Sequence, residues 1–124
     1  MADPQVIAKQ FTDFYYQTFD TNRADLNSLY RDNSMLTFEG QPLVGGGAIV
    51  EKLKSLPFQR VQHKVTTFDA QPSSSTASSM IIFVTGHLVV DDNENALQFS
   101  QVFHLIAEAS SYYVFNDIFR LNYT

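Results

Sequence analysis

Met80-Ile81-Ile82-Phe83-Val84-Thr85-Gly86-His87-Leu88-Val89-Val90 is the stretch on which the fold turns. It has the length of a strand and is rich in β-branched and aromatic residues. A period of two sends Met80, Ile82, Val84, Leu88 and Val90 to one face and Ile81, Phe83 and Val89 to the other. Both faces are therefore apolar. The segment Tyr112–Tyr123 repeats the pattern, with Tyr113, Phe115, Phe119 and Leu121 on one side and Tyr112, Val114 and Ile118 on the other. An antiparallel sheet with one wetted face alternates apolar and polar residues more cleanly than this. Either a second copy of the chain covers the outer face, two-fold homodimers being the commonest assembly, or the helical cover is longer than it looks.

Working outward, Leu97–Ile106 is a further strand, and Val61, His63, Val65 and Thr67 alternate with polar residues in another. The polar run Ser73-Ser74-Ser75-Thr76-Ala77-Ser78-Ser79 after Pro72 reads as a connection between strands. Upstream the period lengthens. Asp3 and Pro4 open a helix whose apolar stripe is Ile7, Phe11, Phe14 and Tyr15. Asp20-Thr21-Asn22 interrupts it, and Leu26, Leu29 and Tyr30 mark a second, shorter helix. Ser34 to Phe38 is strand-like and closed by Glu39-Gly40 and Pro42, and a third helix runs through Ile49, Val50, Leu53 and Leu56 to Pro57. The order is helix, helix, strand, helix and four strands, which predicts an α+β domain, three helices on an antiparallel sheet, in a single domain over residues 1–124.

Composition narrows the function. The chain has no cysteine, which removes disulfides and thiolate metal sites and suits a reducing compartment. No apolar run approaches a membrane span and the N-terminus lacks a signal-peptide layout, so a soluble intracellular protein is expected. Residues 65–124 carry the whole net charge of −5: Asp69, Asp91, Asp92, Glu94, Glu108 and Asp117 stand against Arg120 alone. With no basic stripe to neutralise phosphates, nucleic acid is disfavoured as a partner, and a cationic protein surface is favoured.

Individual residues offer several chemistries. Gly45-Gly46-Gly47 matches no phosphate-binding fingerprint and reads as a turn into a helix. His63, His87 and His104 fall on three different strands without metal-ligand spacing. Asp117 shares a face with Phe115 and Phe119 by period-two counting, so it is the candidate general base of an isomerase or dehydratase acting on a small apolar molecule. The alternative is a structural carboxylate held by hydrogen bonds. The loop Asp91-Asp92-Asn93-Glu94-Asn95 serves as a soluble hairpin tip or as a docking site for a basic partner. Phe38-Glu39 places an apolar contact beside a charge at a strand end.

At Phe14-Tyr15-Tyr16-Gln17-Thr18-Phe19-Asp20, Ser34-Met35-Leu36-Thr37-Phe38-Glu39-Gly40, Ser55-Leu56-Pro57-Phe58-Gln59, Phe99-Ser100-Gln101-Val102-Phe103-His104-Leu105 and Asn116-Asp117-Ile118-Phe119-Arg120-Leu121 the chain closely resembles the nuclear transport factor 2 family. The resemblance implies a cone-shaped fold with a bent antiparallel sheet, a homodimer through that sheet, and no cofactor. It implies a non-enzymatic carrier of the GTPase Ran in its GDP form, which also binds FxFG-repeat nucleoporins and moves between cytoplasm and nucleus through the pore of the nuclear envelope. A Ran phenylalanine would enter an apolar cavity walled by Phe38, Phe83 and Phe119, with Glu39 and Asp91 as rim acids and Asp92 beside them. Where relatives often repeat an acid two residues after the first, this chain has Asn93. Pro4 stands where relatives commonly carry an aromatic of the nucleoporin site, leaving Val6 and Ile7, with Asp20 nearby, as its candidates.

Overall fold

The computed structural model describes residues 3–57, 59–75, 78–91 and 95–122. Asp3 begins the first helix, α1 (Pro4–Thr21), by accepting a hydrogen bond from the Gln5 amide at 2.9 Å, with Pro4 in the first turn where its missing N–H costs nothing. Asn22 ends α1 in an extended conformation, its N–H donating to Thr18 O. Its side chain then caps a 3-10 helix, Arg23–Leu29, by accepting from the Ala24 amide. A second α-helix, α2, spans Gly46–Lys54.

Six strands follow this frame: β1 (Tyr30–Phe38), β2 (Gln41–Val44), β3 (Val61–Pro72), β4 (Ser79–Val90), β5 (Leu97–Glu108) and β6 (Ser111–Leu121). They form one sheet in the order β2-β1-β6-β5-β4-β3. The α+β class and the three helices on one sheet are as expected, but the sheet is mixed, because β1 and β6 run parallel. Their ladder breaks between Tyr30 and Met35, and the Ser34 hydroxyl bridges the gap: it accepts from the Arg31 amide and donates to Val114 O. Tyr30 belongs to β1 and not to the preceding helix. The short β2 was not anticipated, since Pro42 reads as a terminator; on an edge strand its missing N–H faces no neighbour.

Two bulges bend the sheet. In β3, Val65 pairs with Gly86 and Thr67 with Thr85, so Thr66 is the extra residue. Gly86 is required there, because a Cβ would lie 2.3 Å from Lys64 O. In β6, His104 pairs with Asn116 but Leu105 with Val114, so Phe115 is the extra residue. That shift moves Phe115 off the face it was expected to share with Asp117 and Phe119, and brings Val114 inward to full burial. The helices cover the inner face. Tyr15, Leu26, Leu36, Ile49, Ile82, Val84, Phe99, Phe103 and Leu105 are almost completely buried there, with Phe103 edge-on to Phe11 and Tyr15 at centroid distances of 4.9 and 4.7 Å. The outer face keeps Met35, Ile81, Phe83 and Ile118 at 39–48% exposure.

Candidate functional site

Where the inner face opens between α1 and the ends of β1, β4, β5 and β6, it leaves an apolar hollow of about 110 Å³. Phe38, Phe119, Leu88, Val90, Leu97 and Leu121 come to its wall from the strands, Phe19 from α1, and Leu56 from just past α2. Phe38 and Phe119 stack at 4.9 Å with their planes 8° apart, and Phe119 continues onto Phe99 at 5.6 Å. The Lys52 ammonium lies over the Phe38 ring at 5.6 Å.

Two acids directly follow residues of its wall in the chain. Glu39 follows Phe38, and Asp91 follows Val90. Glu39 accepts a short hydrogen bond from the Leu121 amide and donates its own N–H to Phe119 O. Asp91 Oδ1 accepts from the amides of Gln59 and Arg60 at 3.0 and 2.9 Å. Backbone donors thus hold both carboxylates in place without neutralising their charge. Phe83 is a correction. It alternates with Ile82 and Val84, points to the outer face and is 42% exposed, so it takes no part in the wall. Its register partner Val102 connects it to Ile118, with which it forms an apolar row across the outer face. Asp92 lies outside the described residues.

The other site does not assemble as expected either. Val6, 52% exposed, and Ile7 lie at the start of α1. Asp20 lies near its end, about 20 Å away by helical rise. Asp20 is engaged instead with His63: its Oδ2 accepts from the His63 amide at 2.9 Å and its Oδ1 meets Nδ1 at 2.6 Å. Ile7 borders a groove with Phe11, Phe14, Leu29, Leu105 and Tyr112, in which Phe14 is 51% exposed.

Asp117 is 1% exposed and faces inward with Phe119, but it does not line the hollow. Its Oδ2 accepts from the Tyr30 hydroxyl at 2.8 Å and from Tyr15 at 3.5 Å, and its Oδ1 accepts from Gln101 Nε2 at 2.8 Å. Burial raises its pKa to about 6, opposed by these hydrogen bonds. Burial and the nearby Asp117 charge push the Tyr15 and Tyr30 hydroxyls well above the usual tyrosine value. The group is a closed network that holds a carboxylate away from the hollow. Among the described residues no cluster of His, Cys, Asp and Glu is disposed to hold a metal.

This architecture, two α-helices and a 3-10 helix on one face of a six-stranded mixed sheet with an aromatic hollow at its edge, defines a class. A nuclear transport factor 2 domain matches residues 7–121. The chain is 60% identical over 122 residues to the nuclear transport factor 2 of Eremothecium gossypii, covering 98% of this chain and 97% of that one. It is 59% identical to that of Schizosaccharomyces pombe, covering 99% of each. The solved structure of nuclear transport factor 2 from Cryptosporidium parvum superposes with a TM-score of 0.88 at 48% identity, covering 95% of this chain and 94% of that one. The chain belongs to the nuclear transport factor 2 family.

Proposed function

We propose that this protein is a nucleocytoplasmic carrier that binds Ran in its GDP form at the aromatic hollow and FxFG-repeat nucleoporins near the start of α1. It works as a homodimer, without cofactor or catalysis, and moves between cytoplasm and nucleus through the pore in the nuclear envelope. The observation that carries the reading is the hollow itself: a wall of stacked rings, with Glu39 and Asp91 following wall residues in the chain and held on backbone amides. A phenylalanine flanked by basic side chains complements such a surface in shape and in charge. Burying its ring contributes about 1.5–3 kcal/mol before ordering costs, and the acids select for cationic neighbours.

The outer sheet face supports the homodimer, since Phe83, Ile118, Ile81 and Met35 form an apolar patch that a monomer would leave wet. For the nucleoporin site the candidates are Val6 and Ile7, joined by the exposed ring of Phe14, and Asp20, which is held by His63 at the other end of α1. The small apolar area there suits the weak, fast binding that passage along repeats needs. No helix among the described residues is long and apolar enough to cross a membrane. Calorimetry with purified Ran loaded with either nucleotide tests the reading: binding of the GDP form alone is expected.

A further inference from the structure

Phe38 is the last residue of β1 and is only half-buried. Its neighbour in the parallel ladder is Phe119, and the two rings lie 4.9 Å apart with their planes 8° from parallel. Stacking of this kind is a weak attraction, and the torsion that turns a phenylalanine ring is soft. A second attraction reaches Phe38 from α2. That helix sends Ile49, Val50 and Leu53 into the core. Lys52 stands beside this stripe, four residues before Leu56, which lines the hollow. Lys52 is half-buried, and its ammonium lies over the Phe38 ring at 5.6 Å from the centroid. Lys54, the other lysine of this last turn, turns instead to Glu51 at 3.5 Å. A cation within about 6 Å of a ring centroid is drawn to the negative face of the ring, and the last turn of a helix favours a positive charge.

Phe38 lines the hollow and Lys52 touches its ring, so Lys52 acts on the site through Phe38. We propose that Lys52 is a positioning residue of the hollow: its ammonium holds the Phe38 ring parallel to Phe119 and keeps that wall set for an incoming aromatic ring. The consequence for binding rests on the reading that a phenylalanine of Ran enters there, and its sign separates two roles. Lys52 carries the same charge as the basic side chains that Glu39 and Asp91 would receive, so by charge alone its removal would tighten the complex. A positioning residue has the opposite effect, and its loss weakens the complex.

The test compares Lys52→Met, which keeps an unbranched apolar stem but not the charge, with Lys52→Arg, which keeps a cation able to lie on a ring. In the free protein, NMR should show the contacts between the Phe38 and Phe119 rings weakened in Lys52→Met and kept in Lys52→Arg. Calorimetry should show affinity for Ran-GDP lowered about two- to five-fold in Lys52→Met and unchanged in Lys52→Arg. Ring contacts that are the same in Lys52→Met as in wild type, Ran-GDP bound by that variant as tightly as by wild type or more tightly, or Lys52→Arg as impaired as Lys52→Met overturns the proposal. The ring contacts are read without Ran. Contacts that depend on Lys52 in a wild-type protein that binds no Ran-GDP count against the Ran reading alone. Wild type that binds Ran-GDP while the contacts are indifferent to Lys52 counts against this proposal alone.

Discussion

Glu39 and Asp91 share one backbone state: each follows a residue of the hollow's wall and each takes a left-handed φ, 51° and 50° respectively. Non-glycine residues adopt this conformation at a cost on the order of 1 kcal/mol, and both offset it by anchoring a carboxylate on backbone amides. Ala109, in the turn between β5 and β6, takes the same state at 57°, so the conformation belongs to the turns that follow these strands, and the two acids use those turns to reach backbone donors. Glu39→Gly removes the strain together with the hydrogen bond to Leu121. Its stability in urea is expected within about 1 kcal/mol of wild type, with affinity for Ran-GDP clearly reduced. A stability loss well beyond that value, or unchanged affinity, contradicts this account of the residue.

Asp91→Asn keeps an oxygen to accept from the Gln59 and Arg60 amides but removes the charge. Calorimetry should show Ran-GDP binding weakened by roughly 1–3 kcal/mol, the low end reflecting an exposed acid, with thermal stability little changed.

Asp117 gives a pH signature. Its pKa in the folded protein, about 6, lies above the ordinary value of 3.8, so the native state holds the proton more tightly than the unfolded chain. Its contribution to stability is full below 3.8 and is lost as the pH rises through 6. Between pH 4 and pH 7 the loss is on the order of 2–3 kcal/mol. Asp117→Asn cannot titrate, so the stability of the variant relative to wild type should rise over that interval in urea titrations. A constant difference between the two proteins contradicts the assignment.

Gly86→Ala places a Cβ against Lys64 O, which is backbone and cannot swing aside. Thermal and urea unfolding should report a loss of about 2 kcal/mol or more from displacement at the β3 bulge.

The outer face predicts assembly. Light scattering at micromolar concentration should give twice the 14.0 kDa chain mass. Phe83→Glu should shift it toward a single chain mass by placing a charge in the apolar row with Val102 and Ile118 that assembly would bury. A wild-type monomer contradicts the reading of that face.

Much of the fold was legible because its signals are local. Asp3-Pro4 marked the start of α1, and period two sorted both faces of β4 correctly. The same count already separated Phe83 from Leu88 and Val90, so the wall of the hollow was readable from parity, and only the family resemblance put Phe83 into it. The bulge at Phe115 was not legible, since one unpaired residue reverses every later facing and leaves no mark in composition. The parallel pairing of β1 with β6 joins segments far apart in the chain, and the Asp20–His63 pair spans 43 residues, beyond any local pattern. Tyr15, Tyr30 and Gln101 meet at Asp117 from three different elements, which is why the sequence left its role open between base and structural acid.

The central claim is that the aromatic hollow and the acids that follow its wall recognise Ran by a phenylalanine and basic residues presented only in the GDP form. Calorimetry of wild type and Glu39→Lys against Ran-GDP and Ran-GTP tests it most directly. Glu39→Lys removes an attraction and adds a repulsion, a penalty of about 2–5 kcal/mol or more. The account predicts binding of wild type to Ran-GDP, none measurable to Ran-GTP, and none by Glu39→Lys to either form while its chain mass in solution stays that of wild type. Equal affinity of wild type for both nucleotide states, or an unimpaired Glu39→Lys, would contradict it.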